Sequence, residues 1–205
     1  EEALTKIARE SKDLLVMINT LLYATALEGT GSLEMREFTV EELLAELRAN
    51  YAVTVPREIS MHWHHEPNLP PLKTDRRKLR QILDNLIGNA VKFTDTGDVT
   101  ITASMVQAPS GISSPKNSTG TGWIEFQVDD TGVGIPPDRL SRVFDRFYQV
   151  DSSETRRFGG VGMGLYIAKK FVDALGGTIK VVSTEGKGSS FKVAVPCQAA
   201  NPADA

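Results

Sequence analysis

Several residue types are scarce in this 205-residue chain, and each scarcity excludes a class of protein. Cys197 is the only cysteine, so no intrachain disulfide can form, which suits a reducing compartment. No apolar run approaches the roughly 18 residues that a transmembrane helix requires. Basic residues are not in excess, because the net charge is -3, and this argues against a nucleic-acid partner. We therefore expect a globular, cytoplasmic stretch of chain.

Apolar periodicity predicts a long amphipathic helix over residues 1–28. Its stripe recurs at three- and four-residue steps at Leu4, Ile7, Ala8, Leu14, Leu15, Ile18, Leu21 and Leu22. A stripe this regular needs a covering partner, so we expect self-association through it. Glycines 29 and 31 end the pattern and predict a linker over 29–37.

The remaining chain predicts one globular unit over residues 38–197, followed by a tail over 198–205. Helices are expected at about 39–49, 75–90, 137–143 and 164–175. Extended segments are expected at about 51–65, 99–106, 123–128, 179–183 and 190–195. Strands grouped with helices, without strict alternation, indicate an α+β fold built as a two-layer α/β sandwich.

Three separate segments have residue patterns suited to a nucleotide, and the first is the helical stretch 85–93. Asn85 and Asn89 are four residues apart and so project from one helical face. Amide oxygens can complete the shell of a Mg²⁺ ion already held by phosphates. Lys92 offers a positive charge to phosphates, and Phe93 offers a ring to a base. An ordinary amphipathic helix with a polar edge is an equal alternative for this segment alone.

The second segment, residues 129–136, directly follows an expected strand. The carboxylate of Asp130 can accept a hydrogen bond from the exocyclic amine of adenine. Gly132 and Gly134 allow the backbone to approach a base closely, and Ile135 follows them. A tight surface turn is the alternative interpretation of the same pattern.

The third segment, residues 158–165, leads directly into an expected helix. Gly160, Gly162 and Gly164 free successive N–H groups to face an anion at the helix N-terminus. The pattern GxxxxGK[ST] of a P-loop is absent, and no strand closely precedes the glycines as a Rossmann motif requires. A flexible lid without a ligand is the alternative.

Taken in order, these segments resemble the histidine-kinase ATPase domain of the GHKL superfamily, which has the Bergerat-type ATP-binding fold. The resemblance covers roughly residues 38–196. Its N, G1, F and G2 boxes resemble residues 85–93, 130–135, 143–149 and 160–165, and residues 186–191 resemble its closing hairpin.

The resemblance implies ATP and Mg²⁺ as cofactors and a role for each matching residue. Asn89 would be the principal Mg²⁺ ligand with Asn85 assisting, and Lys92 would reach the phosphates. The other implied nucleotide contacts are Phe93, Asp130, Gly132, Gly134 and Ile135 around adenine, and Arg156, Gly160, Gly162, Met163, Gly164 and Leu165 around the triphosphate. Residue 161 is valine where the family often has Thr or Ser.

Position 85 separates the histidine kinases from other members of the superfamily. Members that hydrolyse ATP or phosphorylate serine place a glutamate general base four residues before the metal-binding asparagine. Asn85 occupies that position here, and an amide cannot accept the proton. Asp84 lies about 100° around the helix and points elsewhere. The resemblance therefore implies a histidine kinase with no catalytic protein base.

The histidines of this chain do not match the phospho-acceptor of such kinases. Residues 1–28 resemble the second helix of the dimerisation and phosphotransfer hairpin, whose first helix carries the acceptor and is not expected here. His62, His64 and His65 are the only histidines, and Pro67 excludes a helix around them. A metal site at His62 and His64 is a minor alternative, because no acidic or cysteine partner has suitable spacing.

The resemblance implies a protein-histidine kinase fragment that transfers the γ-phosphate of ATP to a histidine outside this chain. Its implied partners are a response-regulator receiver domain and a dimerisation hairpin of the same or another protomer, within a full-length homodimer. Membrane anchoring of the full-length protein stays open. The alternative is a nucleotide-gated interaction module, which binds ATP or ADP and docks a response regulator without phosphotransfer.

Overall fold

A computed structural model of the chain describes residues 32–108, 121–148 and 162–198. The helix predicted over 1–28, with its predicted self-association, lies outside those residues, as do Arg156 and Gly160. The described strands are β1 (Met35–Phe38), β2 (Ile59–His65), β3 (Leu72–Asp75), β4 (Gly97–Val106), β5 (Thr121–Asp130), β6 (Thr178–Thr184) and β7 (Gly188–Gln198). The described helices are α1 (Val40–Thr54), α2 (Arg76–Lys92) and α3 (Gly164–Ala174), with a 3₁₀ turn at Leu140–Arg142.

Five of the strands form one mixed sheet in the order β2-β4-β5-β7-β6. The β2–β4 pair is parallel, and the other three pairs are antiparallel. The first and third strands pair separately as a small antiparallel ribbon, in which Met35 lies opposite Asp75. Asp130, the last residue of β5, lies opposite Ser189 near the start of β7.

The core lies between one face of the large sheet and the three helices. Alternate residues of β4 and β5 are fully buried, as the two-residue period of a strand requires: Val99, Ile101, Ala103, Ile124, Phe126 and Val128. Helix α2 contributes a continuous buried stripe at three- and four-residue steps, formed by Leu79, Ile82, Leu83, Leu86, Ile87 and Ala90. The predicted α+β fold with two layers is confirmed.

Local signals correctly located the starts of the first two helices. Thr39 and Glu42 have the spacing of a capping box and form one, because each side chain accepts the other residue's backbone N–H. Asp75 caps α2 by accepting from the N–H of Lys78 at 3.1 Å. The same carboxylate accepts from the N–H of Glu34, so the helix start is also tied to the β1–β3 ribbon.

The extended segment predicted over 51–65 is wrong in its first part. Helix α1 continues to Thr54, and β2 begins only at Ile59. The apolar residues that suggested a strand follow Tyr51, whose hydroxyl donates to the carbonyl oxygen of Asp84 at 3.1 Å. This contact with α2 stabilises the additional helical turn despite the low helix propensity of the valine and threonine in it.

Two further elements differ from expectation. The β1–β3 ribbon was not predicted, and its first strand lies largely within the segment expected to be a linker. The helix predicted over 137–143 is only the 3₁₀ turn at Leu140–Arg142. Within the described ranges, no helix combines the length and apolarity needed to cross a bilayer.

Candidate functional site

Helix α2 carries the first group of candidate residues along an edge beside its buried stripe. Asn85 and Asn89 are half-buried, four residues apart. The amide nitrogen Nδ2 of Asn85 is buried and has no hydrogen-bond partner among the described residues. A buried amide N–H without an acceptor costs free energy of folding, so a ligand atom that accepts from Nδ2 would be stabilising at this position.

The start of α3 approaches the same edge of α2. A Cβ atom at Gly164 would lie 3.6 Å from Oδ1 of Asn85, so the two helices come into van der Waals contact there. Gly162, two residues earlier, has φ +69, a conformation that glycine adopts without strain. The N-terminus of an eleven-residue helix thus opens beside the amide of Asn85.

Met163 and Leu165 flank Gly164 in different environments. The side chain of Met163 is 2% exposed and belongs to the hydrophobic core. Leu165 is half-buried against that core. Met163 therefore anchors the start of α3 in the core.

Asp130 lies at the end of β5, where two backbone amides hold one of its oxygens. Oδ1 accepts from the N–H of Gly132 at 2.9 Å and from that of Ser189 at 3.2 Å. Burial raises the pKa of this carboxyl above its ordinary value, and the two hydrogen bonds partly oppose that effect. Among the described residues, no hydrogen bond engages Oδ2. One oxygen orients the group and the other is available to a ligand.

The loop after β5 is held closely between α2 and the β6–β7 hairpin. A Cβ at Gly132 would lie 2.1 Å from the carbonyl oxygen of Phe93, and the N–H of Val133 donates to that oxygen at 3.2 Å. Gly134 has φ +69, and a Cβ there would lie 2.1 Å from the carbonyl oxygen of Thr184. Both glycines are required because the loop approaches the protein's own backbone at these two points. The close approach to a base expected from the sequence stays a prediction.

Lys92 and Phe93 end the α2 edge. The ammonium nitrogen Nζ of Lys92 lies 4.8 Å from the centroid of the Phe93 ring, within the range of a cation–π contact. Because the Phe93 carbonyl also receives the loop after β5, the structure brings this end of α2 to Gly132. The start of α3 at Gly164 and the loop at Gly132 therefore both contact α2, near Asn85 and near its C-cap Phe93.

Two serines of the β6–β7 hairpin were missed as candidates. Ser183 Oγ accepts from the N–H of Ile135 at 2.8 Å and lies 3.0 Å from Ser189 Oγ. The same hydroxyl donates to the carbonyl oxygen of Gly188. The glycine-rich turn 186–188 signalled the hairpin, but nothing in the local sequence indicated that it supports Asp130 and Ile135.

The donors on α2 fit a metal ion that arrives with its own oxygen ligands. In the described part of the chain, no three His, Cys, Asp or Glu residues are grouped to hold a metal. The amide oxygens of Asn85 and Asn89 are neutral, and Mg²⁺ is commonly held by few protein groups together with phosphates and water. The unpartnered amide of Asn85 is consistent with such an incoming shell.

The histidine pair on β2 does not form a comparable centre. His62 Nε2 lies 2.8 Å from Asp98 Oδ1, so an acidic partner exists in space, contrary to the expectation from spacing. The rings of His62 and His64 stack in parallel with centroids 6.5 Å apart, rather than converging on one point.

Comparison with known families matches residues 74–199 to the family described as histidine kinase-, DNA gyrase B-, and HSP90-like ATPase. The sensor histidine kinase RcsC of Escherichia coli (strain K12) is 34% identical over 199 residues, which cover 96% of this chain and 20% of RcsC. The sensor histidine kinase AruS of Pseudomonas aeruginosa is 34% identical over 196 residues, covering 93% of this chain and 18% of AruS. The chain thus spans about a fifth of the length of these relatives.

Solved structures of histidine kinases resemble the chain in fold, and one of them also in sequence. Full-length ShkA in complex with AMPPNP is 31% identical, with a TM-score of 0.76, over 98% of this chain and 40% of ShkA. The catalytic domain of histidine kinase ThkA, at 23% identity and a TM-score of 0.60, covers 80% of this chain and 96% of that domain. The second likeness concerns the fold alone.

Proposed function

Because the chain belongs to the histidine kinase-, DNA gyrase B-, and HSP90-like ATPase family, with the catalytic-domain fold of sensor histidine kinases, we propose that it binds Mg·ATP and transfers the γ-phosphate to a histidine. The acceptor belongs to a dimerisation hairpin. The observation that carries the proposal is the meeting along α2 of the Asp130 loop and the start of α3.

We assign adenine recognition to Asp130. Its Oδ1 is engaged by two backbone N–H groups, which leaves Oδ2 to accept from the exocyclic amine of adenine. Guanine has a carbonyl oxygen at the equivalent position, and two acceptors facing each other repel. Gly132, Gly134 and Ile135 line the base, and Phe93 borders it. The hydrogen bond from Ile135 to Ser183 supports this wall.

We assign the metal to Asn89, with Asn85 assisting, and phosphate contact to Lys92. Bound Mg²⁺ supplies charge neutralisation of the phosphate oxygens. The chain contributes two neutral amides at fixed helical spacing, which would orient the metal and the triphosphate. Because the amides carry no charge, the positive charge of Mg²⁺ would be neutralised mainly by the phosphate oxygens.

We assign the triphosphate to the N-terminus of α3 and the segment before it. The positive φ of Gly162 and the dipole of an eleven-residue helix support anion contacts by the backbone N–H groups of Gly162, Met163, Gly164 and Leu165. We assign Arg156 and Gly160, which lie outside the described residues, to the same phosphates because they match the family pattern.

Transfer rests on positioning and not on a base of this domain. Asn85 replaces the glutamate that could accept a proton, whereas a neutral imidazole already has a lone pair for attack. The nitrogen lone pair forms the new bond to the γ-phosphorus as the bond to the β–γ bridging oxygen breaks and ADP leaves with that electron pair. The proton on the other ring nitrogen of the product passes to solvent.

We further propose the setting in which this reaction occurs. Residues 1–28 would form the second hairpin helix, 29–37 the linker, and 38–197 the catalytic domain, in a homodimeric kinase on the cytoplasmic side. A receiver domain of a response regulator would take the phosphoryl group from the histidine.

A transfer experiment tests this proposal. The chain is mixed with a hairpin that carries the acceptor histidine and with ATP labelled at the γ-phosphate. Labelled phosphohistidine is expected, and Asn89→Ala should abolish it. Arg77→Gln, at a side chain that is 84% exposed, is the matched control and should transfer normally. Binding of ATP without any labelled histidine would refute transfer and leave a nucleotide-gated interaction module.

A further inference from the structure

A second concave feature lies between the C-terminal half of α1 and the edge strand β2. Its volume is about 360 Å³, and it is a shallow cleft that is open to solvent along one side. Residues at three- and four-residue steps form the helical wall, and residues at two-residue steps form the strand wall. The walls include Arg48, Tyr51, Val55, Met61 and Trp63, with Arg57 in the connection between them. None of these residues belongs to the proposed nucleotide site.

The chemistry of this α1–β2 cleft is cationic and aromatic. Arg48 and Arg57 are its charged lining residues, and no acidic side chain lines it. In the part of the chain that the structure describes, neither guanidinium has an ion-pair or hydrogen-bond partner. The rings of Tyr51 and Trp63 are half-buried and lie in the same cleft. Guanidinium groups bind carboxylates and phosphates through paired donors, and aromatic walls accept flat rings.

We propose that the α1–β2 cleft is a second ligand site, which binds a small anion with a flat aromatic ring, such as an aromatic phosphate or carboxylate. The two arginines bind the anionic group, while Tyr51 and Trp63 contact the ring.

Tyr51 connects this cleft to the helix of the proposed nucleotide site. Its hydroxyl donates to the carbonyl oxygen of Asp84 at 3.1 Å, in the α2 turn that contains Asn85. A Cβ at Gly88 would lie 3.7 Å from the same hydroxyl. Burial, and then the charge of Asp84, raise the pKa of Tyr51 above its ordinary value, so the phenol stays a donor. A ligand that displaces the Tyr51 ring therefore alters the support of α2.

Binding is tested with phenyl phosphate on the full chain, observed through the indole N–H signals of its two tryptophans. Trp63 lines the cleft, whereas Trp123 does not and is 2% exposed, so it serves as an internal control. A saturable shift of the Trp63 signal alone is expected, with a Kd on the order of 1 mM for a probe of this size. The Trp63→Phe variant identifies the signal.

Matched variants separate this site from non-specific contact. Arg48→Gln and Arg57→Gln should each weaken binding at least about threefold, while Arg77→Gln should not. Inorganic phosphate and benzyl alcohol should each bind more weakly than phenyl phosphate. A Trp63 signal unmoved by the probe, an equal shift of Trp123, or equal weakening by Arg77→Gln would overturn the site.

The connection through Tyr51 rests on the proposed ATP site, and its test is separate. Phenyl phosphate should change the Kd of Mg·ATP by about fivefold or more, and ATP should change the Kd of the probe by the same factor. Tyr51→Phe keeps the ring and should keep probe binding while reducing this factor. Asp130→Asn should leave the shift of the Trp63 signal by phenyl phosphate intact. If the probe instead bound at the nucleotide site, this substitution would weaken that shift. Unchanged ATP affinity at saturating probe would refute the connection, although the binding site would stand.

Discussion

Replacement of Asp130 by asparagine is the sharpest test of the proposed nucleotide site. The two side chains have the same shape, and Oδ1 of either can accept from the N–H groups of Gly132 and Ser189. With that oxygen held, the second terminal atom becomes an NH₂ group in the variant. It would then face the exocyclic amine of adenine, donor against donor.

The magnitude follows from the bond that is lost. A hydrogen bond to a charged group contributes about 1.5–3 kcal/mol. The Kd of Mg·ATP should therefore rise roughly 10- to 150-fold. For GTP the new NH₂ group can donate to the guanine carbonyl, so the preference for ATP over GTP should narrow as well.

Calorimetric titration of the 205-residue chain with Mg·ATP and Mg·GTP gives both affinities. Asp129→Asn is the matched control, because that carboxylate is the neighbouring strand residue and accepts from the side chain of Gln127 instead. Burial raises the folded-state pKa of Asp130, so its contribution to stability is full below the ordinary pKa and is lost as the pH rises through the raised value. The variant should thus be at least as stable as the parent at neutral pH.

Two results would refute this reasoning. If Asp130→Asn binds ATP as tightly as the parent does, Asp130 is not the adenine contact. If Asp129→Asn loses ATP binding equally, the effect belongs to the end of β5 in general and not to the held carboxylate.

Four further predictions concern pH, the metal, a helix cap and a turn. Lowering the pH through the raised pKa of Asp130 should weaken ATP binding, as titrations at several pH values can show, and Asp130→Asn should have a smaller pH dependence in that interval. Asn89→Ala should remove most of the Mg²⁺ dependence of ATP binding, measured with Mg²⁺ and with a chelator. Asp75→Ala should lower the free energy of unfolding in urea by about 1–2 kcal/mol, whereas Asp75→Asn keeps the cap and should lose less. Burial raises the pKa of Asp75, but hydrogen bonds from Lys78 and from the backbone N–H of Glu34 outweigh that effect and leave the pKa lowered. The stabilisation from this carboxylate is therefore present above the ordinary pKa of aspartate and is lost as the pH falls through the lowered pKa. Gly134→Ala should lower the free energy of unfolding more than Gly176→Ala does in the same assay. Both residues have φ +69, but only the Cβ at position 134 would meet a backbone oxygen. Equal losses of about 1–2 kcal/mol, the cost of the left-handed conformation alone, would contradict the close approach.

Elements with strong local signals were predictable because neighbouring residues alone specify them. The capping box at Thr39 and Glu42 and the apolar stripe of α2 both follow from short-range geometry. The order of the nucleotide-binding segments is likewise a property of the sequence, and the family match agrees with it. The roles of the individual site residues stay predictions.

Other features required contacts between distant parts of the chain. The ribbon of β1 and β3 pairs Met35 with Asp75, and the last turn of α1 is stabilised by the Tyr51 contact with α2. Neither produces a periodic pattern within its own segment. A local pattern also cannot decide that Met163, in the middle of a glycine-rich loop, is buried in the core.

By itself the sequence determined the α+β class, the helix starts and which residue types could bind a nucleotide, because these depend on spacing along a few turns of chain. Only the tertiary structure decided how one oxygen of Asp130 is held, since one of its two donors is Ser189, 59 positions away. It also decided that Arg48 and Arg57 share a cleft with Tyr51 and Trp63. Packing a helix against an edge strand produces that arrangement, and no segment contains it alone.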